Sequence, residues 1–402
     1  MLTMAAVQQA LKDYYLPGLR YQLNEKSSIF LAQLERNKDS VVGRDIVMAL
    51  RHGRVGGIGN RADNGTLPTP NSRQTQRATW ETKNVFARFQ ITDKTIEASK
   101  SSVGAFANLL EQEIHDCETD VKQDISRQVM GSTTGLLTTA TGANVGAVIP
   151  VADVLFLHEG MRVDIWDMSA GGGTGDFMDT NLIVLAVHEG LAADLVTPVA
   201  APAGSVTLSA APSAATANTD QFFVNGNRNL EMTGVQAVFE DAVLYDITRA
   251  TSPWLNAQRI NINGNIAEVT IQRAIDDSER KAGGSINFML GSYGVRRAYQ
   301  NLLTAQKQLV NTLDLKGGWK ALSYNGIAFA ADKYVRRGKL YCMDLSDWAL
   351  YHMGDFDWMD KDGSMFDRVQ NVAAWEATLR RYMDIGCQKP MAQVELYNIN
   401  EA

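Results

Sequence analysis

Two dipeptides in this sequence carry the groups of zinc chemistry: His158-Glu159 and His188-Glu189 each set an imidazole beside a carboxylate. Neither forms the His-Glu-x-x-His spacing that puts two imidazoles on one helix face, and each follows an apolar run where polar turn residues are expected. Asp355, Asp357, Asp360 and Asp362 precede Gly363 in the manner of a calcium loop. Setting Gly363 at the sixth position puts Trp358 first and Val369 twelfth, where oxygen ligands are required, so an acidic turn is the reading. Gly57-Ile58-Gly59-Asn60-Arg61-Ala62 has the glycine spacing of a dinucleotide loop, but Asp63-Asn64-Gly65 and two prolines follow where the pyrophosphate-binding helix would start. The glycines of 171–175 lack the lysine and hydroxyl of a phosphate cradle. There is no Gly-x-Ser-x-Gly elbow, and the five histidines have no evident Ser or Cys partner. Cys117, Cys342 and Cys387 lie in separate regions, which predicts three buried, reduced thiols. The sequence thus predicts no catalytic, cofactor-binding or metal site; an oligomeric enzyme would need a polar pocket assembled only in the fold.

The remaining functional groups are charges. Residues 1–100 carry 15 basic and 9 acidic side chains, 101–250 carry 5 and 19, and 251–402 carry 18 and 17. A chain that coats DNA neutralises phosphates and is basic overall, whereas this one has a net charge of −7. A basic first quarter beside an acidic middle predicts complementary surfaces that meet within a subunit or between copies.

These charges need elements to position them. With 402 residues, 45% of them hydrophobic, the chain can bury a sizeable core in two or three domains. The start, Met1-Leu2-Thr3-Met4, shows no basic segment leading into an apolar signal core, and the longest apolar run, 182–187, is too short to span a bilayer, so neither export by that route nor membrane insertion is expected. Helical patches at 5–15 and 28–35, broken by Leu16-Pro17-Gly18, predict an arm. Strands are expected at 41–50 and 79–92, with an insert between them of Gly, Asn, Pro and the cations Arg51, Arg54, Arg61, Arg73 and Arg77. A long insert without core residues implies a hairpin reaching away from its own body.

Val103, Phe106, Leu109, Leu110, Ile114, Cys117, Val121, Ile125 and Val129 recur at steps of three and four, predicting a helix over 101–131 of roughly 40 Å. Glu113, Asp116, Asp120 and Asp124 fall within one sector of it, about 80° wide, beside the apolar stripe. Cation-rich loop on carboxylate-rich helix is the partner choice these residues offer. From Gly131 to Asp246 short apolar runs at 154–157, 181–187, 206–208 and 221–224, with a low-complexity loop over 200–219, predict a small β-sandwich or barrel. Helices are expected at 266–282 and 292–310 and strands at 285–290, 339–343, 348–352 and 392–399.

This order of parts resembles the Hong Kong 97-like major capsid proteins of tailed double-stranded DNA bacteriophages, a fold that encapsulins share. The resemblance rests on Arg51 to Phe89 as loop, Phe89-Gln90-Ile91-Thr92-Asp93-Lys94 leading into the long helix, Ser252-Pro253-Trp254 and Met289-Leu290-Gly291-Ser292-Tyr293 in the central part, Asp362-Gly363-Ser364 through Arg368 and Tyr382, and the closing Val394-Glu395-Leu396-Tyr397-Asn398-Ile399. It implies an α+β fold divided into an N-terminal arm (1–44), an extended E-loop hairpin (45–92), a peripheral domain with the spine helix (93–148), an inserted β-rich domain (149–246), an axial domain (247–338) and returning strands (339–402). It also implies a non-enzymatic subunit that tiles as pentamers and hexamers into an icosahedral head around double-stranded DNA, located in the virion and made in the host cytoplasm. The implied partners are further copies of the chain, portal and scaffolding proteins and a decoration protein, with no membrane and no cofactor. The five arginines and four helix carboxylates are the expected inter-subunit contacts. Some relatives cross-link a loop lysine to an asparagine; here the loop tip offers only arginine, with Lys83 already in the strand, so a non-covalent shell is expected. A protein-filled encapsulin shell is the alternative within the same architecture.

Overall fold

The computed structural model describes residues 28–37, 41–43, 45–63, 65–94, 103–169, 175–191, 203–305, 312–314, 320–360 and 366–401, with only the backbone described at 103–113, 116, 305, 312–314 and 320. The arm before residue 28, the segment 171–174 with its glycines, the start of the low-complexity loop at 200–202, the end of the second central helix at 306–310 and the end of the acidic turn at 361–365 lie outside the described residues.

The insert is the tip of a hairpin. Asp45–Arg51 and Thr75–Glu81 pair antiparallel, Ile46 opposite Trp80 and Arg51 opposite Thr75. The pleat turns alternate side chains to opposite faces. Ile46, Ala78 and Trp80 are buried while Ala49, Arg51, Thr75 and Arg77 face solvent. The Trp80 ring lies 4.1 Å from that of Tyr245 and meets Tyr351 edge-on at 5.7 Å. Beyond this anchored base, the described residues of 52–74 form no regular element. The single strand expected over 79–92 is two, broken at Thr82, because the chain leaves the hairpin there and enters another sheet.

That second strand, Lys83–Thr92, pairs along its whole length with Ala374–Cys387. The latter is the central strand of a six-stranded sheet; Trp348–His352, Asp357–Trp358 and Asp367–Arg368 pair with it too, and Glu35–Asn37 adds parallel to Trp348–His352. Its charged residues Glu376, Arg380, Arg381 and Asp384 conceal it from an apolar-run search. Against this sheet packs the long helix, Val103–Met130, about 42 Å at 1.5 Å per residue. Ile114, Val121, Ile125 and Val129 bury its inner stripe, whereas Cys117, expected to be buried, is half-exposed.

The β-rich region is a closed barrel, not a sandwich. Its six strands run in the order Leu136–Thr139, Gln221–Val224, Arg162–Asp167, Asp176–Glu189, Gly204–Leu208, Val148–Val151. The bridge between Ala140 and Val151 joins the outer two, with Thr141 N–H donating to the Pro150 carbonyl at 3.0 Å and Ala152 N–H to that of Thr139 at 2.9 Å. Closure leaves no long free strand edge. Leu137, Ile149, Val163, Ile165, Val184, Val206 and Phe222 fill the interior as a separate apolar cluster. The sheet starts at Leu136, ahead of the expected boundary at 149. The expected strand at 154–157 is a turn, apolar because Val154, Phe156 and Leu157 plug the barrel core.

A seven-stranded sheet follows, in the order Gln258–Gly264, Val394–Ile399, Leu340–Met343, Phe288–Gly291, Ile327–Ala331, Lys320–Tyr324, Thr312–Asp314. Its middle strands Leu340–Met343, Phe288–Gly291 and Ile327–Ala331 are buried on both faces and so read as unbroken apolar runs. Met289, Phe329, Cys342 and Leu396 face the helices Glu268–Ala282 and Tyr293–Ala305, while Phe288, Leu290, Tyr341 and Met343 join the cluster shared with the hairpin base and long helix. Wholly buried Glu395 is paired with Arg259 and with Lys339 at 2.9 Å, and both cations also hold Glu240 of the short helix Val235–Glu240.

One buried carboxyl ties the chain's two halves. Asp384 accepts the Thr233 N–H at 2.7 Å, the Thr233 hydroxyl at 3.0 Å and the Ile385 N–H at 2.8 Å. Burial pushes it up from 3.8 to about 7, against the pull of these donors. The folded subunit therefore keeps a proton that the unfolded chain releases near pH 4 (about 3.9). This stabilisation is complete below about pH 4 and is lost as pH rises towards 7, because the native state binds more protons across that window. Asp384→Asn, which mimics the protonated acid, is expected to flatten the fall in the urea unfolding midpoint between these limits; an unchanged slope would assign it to other groups.

Candidate functional site

All five predicted arginines sit on the hairpin and are exposed: Arg51 and Arg77 on its strands, Arg54, Arg61 and Arg73 in the tip. Arg61 donates to the carbonyls of Thr66 at 2.9 Å and Asn60 at 3.1 Å, bracing the tip locally. No ion pair joins any of the five to an acid among the described residues. Ile58 and Leu67 are each 85% exposed beside them. An apolar side chain left that far in water contributes nothing to its own subunit, and two on one cationic limb make a surface suited to contact.

On the long helix, Asp120 is exposed, and Asp124 is turned towards its own chain. The Arg127 guanidinium donates to Asp124 at 2.8 Å and to buried Glu231 at 2.6 and 2.9 Å, and Gln128 donates to the other Asp124 oxygen at 2.7 Å. Against the burial that would lower it, the two carboxylates raise the Arg127 pKa and keep the cation charged. Glu113 and Asp116 lie on the helix backbone; their side chains are outside the described residues. A groove of about 370 Å³ separates the carboxylate edge, with Cys117, Asp120 and Asp124, from the strand that carries half-exposed Phe86 and Arg88, the latter paired with Glu376. Sequence reasoning found the acidic edge but missed the Arg127–Glu231 pair; Arg127, three residues after Asp124, was its local signal. It also missed the groove, which neither element forms alone.

The dipeptides with zinc-type groups remain apart from any such arrangement. His158 lies in the turn and contacts its neighbour's carbonyl; His188 meets the Thr207 hydroxyl at 3.2 Å, and Glu189 pairs with Arg337. Among the described residues, no group of three His, Cys, Asp or Glu side chains is placed to hold a metal ion. The glycine-spaced segment 57–62 is irregular loop with no helix after it. No described helix is long and apolar enough to cross a membrane.

No protein-family model matches the sequence, and no curated protein matches it. Solved structures do. A chain of the cyanophage A-1(L) capsid asymmetric unit superposes with a TM-score of 0.56 at 11% identity, covering 96% of this chain and 93% of that one. A chain from Mycobacterium phage Bobi reaches 0.45 at 11% identity over 94% and 92% of the two chains. An encapsulin of Synechococcus elongatus reaches 0.30 at 13% identity over 42% and 57%. Only the first is close enough to argue from. A superposition over nearly the whole of both chains makes this the Hong Kong 97-like capsid fold, of mixed α+β class.

The hairpin's anchored base and exposed tip are expected to respond differently to substitution. Trp80→Ala is expected to cost about 3–5 kcal/mol of subunit stability. Ile58→Ser combined with Leu67→Ser is expected to change it by less than about 0.5 kcal/mol. Urea denaturation of the dissociated subunit measures both; a large loss from the tip pair would mean the tip packs on its own chain.

Proposed function

We propose that this protein is the major capsid protein of a tailed double-stranded DNA bacteriophage, assembling as pentamers and hexamers into an icosahedral head. The observation that carries the reading is the hairpin: an anchored base followed by a tip whose arginines form no ion pair with the described residues and whose Ile58 and Leu67 stand exposed. Ordering such a limb costs conformational entropy that intramolecular contacts do not offset, so the compensation must come from another molecule. In a closed symmetric shell every contact recurs around each ring, and modest individual contacts suffice.

The tip arginines dock on a neighbouring copy, at the carboxylate edge of its long helix or at its acidic barrel. Asp120 is the open carboxylate of the described edge, since Asp124 already holds Arg127 and Gln128. Glu113 and Asp116 extend the same edge in sequence. Arginine and carboxylate form directional, charge-assisted bonds without covalent chemistry, which fits a shell that is not cross-linked through this loop. The net charge of −7 suits a wall that encloses DNA and does not grip it. Copies of the chain are the principal partners, with portal, scaffolding and decoration proteins as further ones, and the virion is the location. The role is structural, not enzymatic.

Reversing Arg54, Arg61 and Arg73 to Glu is expected to leave the subunit's urea midpoint within error and to abolish most particles in negative-stain micrographs. Undiminished particle yield removes the docking scheme. Nuclease-protected DNA in particles from infected cells marks a phage head, and protein cargo without DNA marks the encapsulin-type compartment.

A further inference from the structure

A second opening lies at the other end of the hairpin, where it leaves the body. A cleft of about 490 Å³ separates the hairpin strand from the end of the helix Glu268–Ala282 and the turn before the last strand. Its floor is Trp254, on which His52 stacks with ring centroids 4.5 Å apart and planes within 10°. This stack is the last ring contact between hairpin and body before the exposed tip. The cleft thus lies where the limb leaves the body.

Its walls are cationic. The Arg51 side chain makes no hydrogen bond or ion pair with the described residues. Lys389 reaches the Gly283 carbonyl at 3.3 Å, and Lys281 donates to Gln258 at 2.9 Å while standing 3.9 Å from Asp277, a carboxylate that Arg280 holds more closely, at 2.7 Å. Among the described residues, Asp347 is the one acid lining the cleft. The cations that line the cleft outnumber it; on the hairpin's outward face Arg77 lies nearest to Arg51, and the acids Asp45 and Glu81 sit at the far end of the same strands.

We infer that this cleft receives an acidic segment of a second copy of the chain, and that its occupancy holds the hairpin at its assembled angle. Charge complementarity selects the occupant: residues 101–250 carry 19 acidic side chains against 5 basic ones. The apolar wall formed by Trp254, Met48 and Pro390 suits the methylenes of a peptide, and a phosphodiester backbone would leave it uncovered. The inference rests on the shell reading for the availability of neighbouring copies.

A photo-crosslinking benzoylphenylalanine placed at exposed Gln388, or on the opposite wall at exposed Ala49, tests it in mixtures of isotope-labelled and unlabelled full-length protein. The expected result is a crosslink between differently labelled copies, mapped to an acidic segment. Lys281→Glu with Lys389→Glu is expected to lower its yield about tenfold in protein that keeps its urea midpoint. Crosslinks confined to one chain, crosslinks to nucleic acid, or a yield indifferent to the charge reversal would overturn it. Particles without the intermolecular crosslink remove the cleft proposal and keep the shell; crosslinked copies without particles do the reverse.

Discussion

The rest of the structure depends on a charge placed where water cannot reach it. Arg127, near the end of the long helix, is almost wholly buried and held by Glu231 and Asp124. A buried guanidinium is tolerated only with its counter-charges in place, and removing one partner of such a pair costs about 3–5 kcal/mol. Glu231 belongs to the segment joining the barrel to the rest of the chain, so the pair fixes helix and barrel exit in one geometry. Met232 N–H donates to Gln128, and Thr233 reaches across to Asp384 on the central strand. Gly234 completes the joint: a Cβ there would lie 2.4 Å from the Gln128 carbonyl oxygen and 2.5 Å from that of Gly131, so only glycine admits this approach of backbones. Four residues thus hold together helix, barrel and six-stranded sheet.

From that joint outward the chain separates what it satisfies internally from what it leaves open. The barrel closes on itself and buries its own core. The middle strands of the seven-stranded sheet bury both faces, and the sheet's buried Glu395 is matched by two cations. The hairpin is treated differently. Ile46, Ala78 and Trp80 root it in the main core, and beyond His52 most of its side chains face solvent, its arginines without an ion pair among the described residues. A limb fixed at its base and open at its tip is a mechanical part, and its unsatisfied chemistry lies at the end that would meet a neighbour.

Much of this was legible along the chain, where local periodicity and burial agree. The apolar steps of three and four predict the long helix at 101–131, and it spans Val103–Met130 because those steps coincide with the face that packs. The strand at 348–352 was read at its observed bounds, and the hairpin was visible as an insert with no core residues. Ala374–Cys387 escaped notice. Its buried Arg381 and Asp384 break the apolar pattern, and they are admissible there only because the fold brings Phe356, Asp355 and Thr233 to them. The run at 154–157 misled for the opposite reason: a plug that fills a barrel is as apolar as a strand but has no ladder.

The sequence by itself determined the kinds of parts and their order: which segment is helix, which is limb, where acidic and basic blocks fall, and that no familiar catalytic spacing is present. These are local properties, set by neighbours a few residues apart. Only the tertiary structure decided which charges are free. Asp120 and Asp124 lie on one helix edge and look alike in sequence, yet one faces solvent while the other is bound to Arg127, whose further partner Glu231 stands 104 residues away. The clefts beside the helix and under the hairpin base likewise arise where distant segments meet. Pairing and concavity depend on distance in space, and chain order does not encode that distance until the core has closed.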